Sequence, residues 1–312
     1  MLTQPTSFSA EVLGTTIPFF GPLPAEKWQR VLLSTACLHL EPDIEYDALF
    51  WIFDAEGHIR YEARVPGCFR MQPFSADLSA LMPGSSAIRG MVGAALCPQK
   101  VVKPPKESEA WTVRFLAEGG LQETVVSEGP PRLNRPDPSG RHSRFRLISG
   151  ALLSDATWRS LVAVSNASVN PDYQNEIEIV VTVRNGQGRA LEPVTRTIPP
   201  FGTLWLDLQE TFGPPLQELL ESSGGRGSYV ITSDGGGAIG YHFLYRPDTG
   251  EMAGDHTRAM LPYLTSGYGT SRYSVDKSKL FFFEAFAQNV IARITRLHVS
   301  FGSMRKFKRG AL

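Results

Sequence analysis

Asn175-Glu-Ile-Glu-Ile-Val-Val-Thr-Val-Arg-Asn-Gly-Gln-Gly-Arg-Ala-Leu-Glu-Pro-Val-Thr-Arg-Thr-Ile-Pro-Pro-Phe-Gly-Thr-Leu-Trp-Leu-Asp-Leu208 decides the fold class. Ile177, Ile179, Val181 and Val183 alternate with Glu178, Val180 and Thr182, the two-residue period of a strand with one buried face. Asn185-Gly186 follows at once and Gly188 comes two residues later. These residue types tolerate positive φ, so a tight hairpin is expected there. A second strand runs to Ile198 and ends at Pro199-Pro200, because proline cannot donate to a ladder. Leu204, Leu206 and Leu208 then alternate around Trp205 and Asp207, so the stretch reads as a three-stranded meander.

The pattern occurs twice. Trp28 and Trp158 are 130 residues apart, as are Asp77-Leu78 and Asp207-Leu208. Pro42-Asp43 matches Pro171-Asp172, Val65-Pro66 matches Ile198-Pro199, and Arg114-Phe115-Leu116 matches His242-Phe243-Leu244. Landmarks recurring in the same order indicate an internal duplication of a β-sandwich of about one hundred residues. A count of 29 Gly and 23 Pro supplies the turns that such a fold needs. The fold expected is all-β: two tandem antiparallel β-sandwich domains and a C-terminal amphipathic helix. The organisation is an N-terminal arm over 1–27 that covers a sheet edge, a sandwich over 28–126 and a Pro/Arg-rich linker over 127–144. A second sandwich over 145–265 and a basic tail over 266–312 follow. Phe212 to Ser222 reads as a short helix after Pro214-Pro215, and Tyr229–Thr232 with Ala238–Tyr245 as a closing hairpin.

Formal net charge is zero, which argues against general nucleic-acid affinity. The charge is unevenly placed: residues 271–312 carry +7 and the remaining 270 carry −7. The N-terminus shows neither a basic region nor an apolar run of secretory type, and no long apolar run marks a membrane span. Cys37, Cys68 and Cys97 are widely spaced and odd in number, as expected of reduced thiols in a cytoplasmic protein.

The second copy resembles the sensory rhodopsin transducer family of small β-sandwich proteins. The resemblance rests on Glu176–Val183 with its polar turn, on Ile198-Pro199 leading to Asp207-Leu208, and on Tyr229–Ser233 followed by Ile239 through Arg246-Pro247-Asp248. It covers about ninety residues. It implies a non-catalytic, oligomeric sandwich that acts as a signalling partner or binds small ligands. This chain differs in being duplicated and in carrying the basic tail.

Candidate chemistry is sparse. Gly235-Gly-Gly-Ala-Ile-Gly240 satisfies G-x-G-x-x-G, but a strand rather than a helix follows, so a glycine-rich turn is expected instead of a dinucleotide site. No G-x-S-x-G elbow occurs, the six histidines are scattered, and no catalytic residue or cofactor is assigned. Trp51, Trp111, Trp205, Tyr229, Tyr241 and Tyr245 are candidates for a sugar-stacking platform, with core packing as the alternative for each. The polar cluster His242, Arg246, Asp248, Glu251, Asp255 and His256 could contact a ligand or a divalent ion, with ordinary loop polarity as its alternative. The ligand-binding set is therefore Trp205, Tyr241, His242, Tyr245, Arg246, Asp248, Asp255 and His256.

In the tail, Phe283, Phe286, Val290, Ile294, Leu297 and Phe301 recur at helical spacing, while Arg293 and Arg296 fall off that stripe. With Arg305, Lys306, Lys308 and Arg309 they form a candidate surface for an anionic membrane, a protein partner or self-association. The leading expectation is a non-enzymatic adaptor in signalling or assembly, cytoplasmic and peripheral to a membrane. The alternative is a module binding carbohydrate or another small polar ligand, and a metal-dependent enzyme ranks third.

Overall fold

In a computed structural model the described residues are 8–13, 15–16, 18–23, 30–100, 109–117, 120–127, 146–233, 238–249 and 252–257. Their strands assemble into four antiparallel sheets of four. One sheet contains β1 (Phe19–Leu23), β3 (Tyr46–Asp54), β4 (Ile59–Cys68) and β6 (Gly90–Pro98) in the order β1-β6-β3-β4. A second contains β2 (Arg30–Thr35), β5 (Phe74–Asp77), β7 (Trp111–Ala117) and β8 (Gly120–Ser127) in the order β5-β2-β7-β8. The third contains β9 (Arg146–Leu153), β11 (Ile177–Asn185), β12 (Val194–Ile198) and β14 (Arg226–Ser233) in the order β12-β11-β14-β9. The fourth contains β10 (Arg159–Asn166), β13 (Thr203–Asp207), β15 (Ala238–Tyr245) and β16 (Met252–Thr257) in the order β13-β10-β15-β16. Adding eight to every strand number of the first half reproduces both orders of the second. The chain is all-β.

The correspondence extends to single hydrogen bonds. After β3, the Glu56 and His58 amides donate to Asp54 Oδ1; after β11, the Gln187 and Arg189 amides donate to Asn185 Oδ1. Gly57 and Gly188 take φ of 90° and 83° in the two turns. Gly90 and Gly227 are also equivalent, since a Cβ on either would lie within 2.0 or 2.3 Å of the carbonyl oxygen of Phe53 or Arg184. After β5, Asp77 caps the short helix α2 (Leu78–Leu81) by accepting from the Ser79 and Ala80 amides; after β13, Asp207 caps α3 (Leu208–Phe212) through the Gln209 and Glu210 amides. The halves differ beyond this point. Only the second continues into α4 (Pro214–Glu221), which buries Leu216, Leu219 and Leu220 and begins with prolines whose missing N–H groups cost nothing there.

Two local expectations are corrected. The stretch 175–208 is not a single meander: β11 pairs with β12, but β13 pairs with β10 in the other sheet. Pro199-Pro200 stops the ladder, and Phe201, at φ 58°, turns the chain across. Leu206 and Leu208 thus meet Ile177, Val181 and Ile231 face to face across the sandwich. Likewise β14 and β15 form an arch between sheets, since β14 pairs with β11 and β9 and β15 with β10 and β16.

All nine residues of β3 are buried, which explains its unbroken apolar run. Phe50 and Ile52 join the first sandwich's core with Val31, Leu33 and Phe115. Leu49, Trp51 and Phe53 point the opposite way, toward Phe8, Phe20, Ala167 and Phe201. Phe8 makes edge contacts with Trp51, Phe53 and Phe201 at 5.2, 5.3 and 5.1 Å, each adding about 0.5–1.5 kcal/mol to simple burial. The stretch read as an arm therefore supplies an edge strand, β1, and an aromatic plug. The Asp54–His58 turn also seats on the second half: the Thr203 amide donates to Ala55 O at 3.1 Å. The described residues belong to one compact unit, Met1–Ala259. Of the linker 127–144 only Ser127, the last residue of β8, is described, and the tail 266–312 lies outside the described residues.

Candidate functional site

Five of the six aromatic candidates are buried, as their core-packing alternative has it, so Trp205 and Tyr241 are corrected from ligand contacts to core residues, and Tyr245 is half-buried. Trp51, Trp111, Tyr229 and Tyr241 have essentially no exposure, and Trp205 retains 9%. Trp205 stacks on Phe243 with ring centroids 5.5 Å apart, and the Arg89 guanidinium lies 5.7 Å over its ring. The Tyr241 hydroxyl donates to Phe20 O. The physical reason is that the outer face of the β13-β10-β15-β16 sheet is covered from within. Ala163, Trp205, Tyr241 and Phe243 belong to the same apolar cluster as the first sandwich's core.

Register explains the placement of His242. Arg30 pairs with Leu116 in the first half and Arg159 with Tyr245 in the second. The structural partner of His242 is therefore Val113, one residue off the apparent match with Arg114, and a one-residue slip exchanges faces. His242 stacks on Tyr229 across the second sandwich at 5.5 Å and 13°. His242 Nδ1 and Tyr229 Oη have no hydrogen-bond partner among the described residues. Burial pushes the imidazole down to about 4 and pushes the Tyr229 phenol up. Such a histidine is no metal ligand exposed to solvent. Among the described residues no group of three or more His, Cys, Asp or Glu side chains could hold a metal ion.

The remaining polar candidates converge only in part. Arg246 Nη2 donates to Asp248 Oδ2 at 3.0 Å, holding that carboxyl below its usual range, and its guanidinium lies 5.6 Å over Trp158. Tyr245 is half-buried beside them at the end of β15. Asp255 and His256 pair by backbone with His242 and Tyr241 on β16. Phe283, Phe286, Val290, Arg293, Arg296, Arg305, Lys306, Lys308 and Arg309 lie outside the described residues.

Asp248 leads to a cavity of about 660 Å³ at one end of the second sandwich. One wall is the turn into β10, Ser154, Asp155, Ala156 and Arg159. Asp155 Oδ1 shapes that turn by accepting the Thr157 and Trp158 amides, both at 2.7 Å. Gly225, at φ 77°, closes it: its Cβ would stand 2.7 Å from Ser154 O, and the Ser154 amide donates to Gly225 O at 2.9 Å. Gln209 on α3, Gln217, Glu218 and Glu221 on α4, and Pro247 and Asp248 after β15 complete the lining. Arg159 Nη1 lies 3.5 Å from both Asp207 and Glu210, the counterpart of the 2.7 Å pair Arg30–Asp77. Ser154 is 6% exposed, and its Oγ and the Gln209 Oε1 have no partner among the described residues.

This cavity depends on α4, for which the first half has only a three-residue turn, Ser85–Ala87. Sequence reading found the helix but missed its role. The available signal was Glu218 and Glu221 near the helix C-terminus, where the backbone dipole disfavours acids.

The chain matches no family model and no curated protein. Among solved structures it shows similarity to a glycosyl hydrolase family 2 member from Bacteroides cellulosilyticus, at 5% identity and TM-score 0.22, covering 78% of this chain and 26% of that one. Similarity to Bacteroides uniformis β-glucuronidase has 11% identity and TM-score 0.17, covering 77% and 26%. For the Pleurotus ostreatus lectin in its apo form the values are 12% and 0.20, covering 78% and 76%. The chain thus spans about a quarter of the two hydrolases. Likenesses at these TM-scores carry no argument for either fold or activity.

Proposed function

We propose that the protein is a non-catalytic binding module whose second sandwich takes up a small polar ligand, of the carbohydrate or similarly hydrogen-bonding class, in the cavity between the Ser154–Arg159 turn and α4. The observation that carries this reading is a cavity of about 660 Å³ whose lining is largely polar, with Asp155, Arg159, Gln209, Gln217, Glu218 and Glu221 among its residues. That volume is ordinary for a small-molecule site, in which a few polar groups fix a ligand's orientation. Its carboxylates favour binding over hydrolysis. Asp155 and Asp248 are already engaged by turn amides and by Arg246, and Glu218 and Glu221 share one helix face. A glycosidase needs its carboxyl pair on opposite sides of the scissile bond. The adaptor reading rests chiefly on the tail, so the described geometry adds nothing to it. No helix among the described residues is long and apolar enough to cross a membrane.

Isothermal titration of the full chain with neutral sugars, polyols, amino acids and polyamines tests the proposal, alongside Ala156→Trp, which fills the cavity from an exposed position. Binding to wild-type protein that disappears in the folded variant is expected. Absence of binding across the panel, or undiminished binding by the variant, would contradict it.

A further inference from the structure

We infer that two copies of this chain join edge to edge along β4, in an antiparallel pairing with its two-fold axis at Ala63. β4 is the outer strand of its sheet, and β3 is its only ladder partner among the described residues. Its register against β3 shifts at Arg60 and again after Val65, so Tyr61-Glu62-Ala63-Arg64-Val65 is the regular part of the strand. Tyr61, Ala63 and Val65 are half-buried against the first core, and Glu62 and Arg64 are exposed on the opposite face. Sheets protect open edges with prolines, bulges or inward-pointing charges. Here the bulges shorten the edge but leave this window without a proline or an inward charge. The counterpart strand of the second half, β12, is bounded by Pro193 on one side and Pro199 on the other.

The charges of the window select the partner and the register. With the axis at Ala63, Glu62 of each copy stands opposite Arg64 of the other, Tyr61 stands opposite Val65, and the small Ala63 meets itself. Opposite charges and aromatic–β-branched pairs directly across a ladder are favourable, whereas like charges there are not. An axis at Glu62 or at Arg64 would set that charge against its own copy. An axis at Tyr61 would pair Glu62 with Arg60, which sits at the bulge and is held by Asp54 at 2.5 Å. Arg64 has capacity for a second carboxylate. Its Nε donates to Asp47 Oδ2 at 2.6 Å, yet its side chain is 69% exposed and carries five N–H donors. The same patch serves both copies, so the contact closes at a dimer with two Glu62–Arg64 pairs. The surface lies on the first half, away from the cavity, and stands independently of the binding proposal.

Sedimentation velocity of the full chain, from low to high micromolar concentration, tests the inference. A monomer–dimer equilibrium is expected. Glu62→Arg sets an arginine against Arg64 of the second copy and should weaken the dimer at least tenfold. Its own fold should survive, because Glu62 is exposed. Ala63→Cys should yield a disulfide-linked dimer on mild oxidation, since residue 63 meets its own copy at the axis. Thr195→Cys, exposed on β12, should not, and the wild-type chain controls for the three native cysteines. A chain that stays monomeric at every concentration overturns the inference. So does a dimer that Glu62→Arg leaves intact, or one that Ala63→Cys fails to cross-link, because association then runs through another surface or register.

Discussion

Acidifying the protein should expose the histidine in the second sandwich. His242 stacks on Tyr229 with its Nδ1 unpartnered, and burial holds its pKa at about 4 against an ordinary 6.5. In the unfolded chain the imidazole takes up a proton near pH 6.5; in the fold it resists until about pH 4. Between those values the unfolded state binds more protons, so each step down in pH favours unfolding. The penalty is absent above about pH 7 and complete below about pH 4. With each pKa unit worth about 1.4 kcal/mol, its full size is about 3 kcal/mol. Urea unfolding at intervals from pH 7.5 to 4 measures this directly. The comparison is with His242→Phe, which keeps a ring against Tyr229, and with His242→Val, which installs the residue type of the equivalent position Val113. Other titrating groups, including Asp54, are shared and cancel in the difference. Wild-type protein should lose about 3 kcal/mol relative to either variant across that window. Parallel pH profiles would refute the reasoning, showing that the imidazole is hydrated or hydrogen-bonded in the fold.

Other perturbations follow from the same geometry. Tyr229→Phe removes a buried hydroxyl without a partner and should stabilise the protein by about 1 kcal/mol in urea unfolding; a loss of that size would mean the hydroxyl is paired. Gly57→Ala places a Cβ 2.0 Å from Pro200 O at φ 90° and should cost about 3 kcal/mol, whereas Gly188→Ala, with open space around it, should cost about 1. Equal losses in thermal unfolding would contradict the close approach at Gly57. Asp207→Ala removes the α3 cap and a partner of Arg159, and should lower stability by about 1–2 kcal/mol; no change in urea midpoint would count against the cap.

Strand existence was legible because period-2 alternation survives wherever one face is buried, as in Ile177–Val183. The sheet to which each strand belongs was not. Leu204–Leu208 looks the same whether it continues a ladder or crosses to the facing sheet, and the decision lies in the backbone at Phe201. The matching strand order of the two halves was foreshadowed by landmark spacing, but an offset of one residue at β15 concealed which face His242 occupies. For Trp205 and Tyr241 the sequence left surface and core open, because an outward sheet position is wet unless something covers it; here the other half does. The cavity was hidden for a related reason. It joins a turn, the end of β15 and a helix separated by dozens of residues, and only Arg246 and Asp248 stood out from local polarity.

Hydrogen–deuterium exchange on the full chain, with and without a saturating concentration of the ligand found by titration, tests the binding-module account most directly. The account predicts slowed exchange confined to residues 153–159, 209–225 and 246–248, with the region of the Thr203–Ala55 hydrogen bond unchanged. Protection centred on another surface, or ligand binding with no change in those segments, would contradict it.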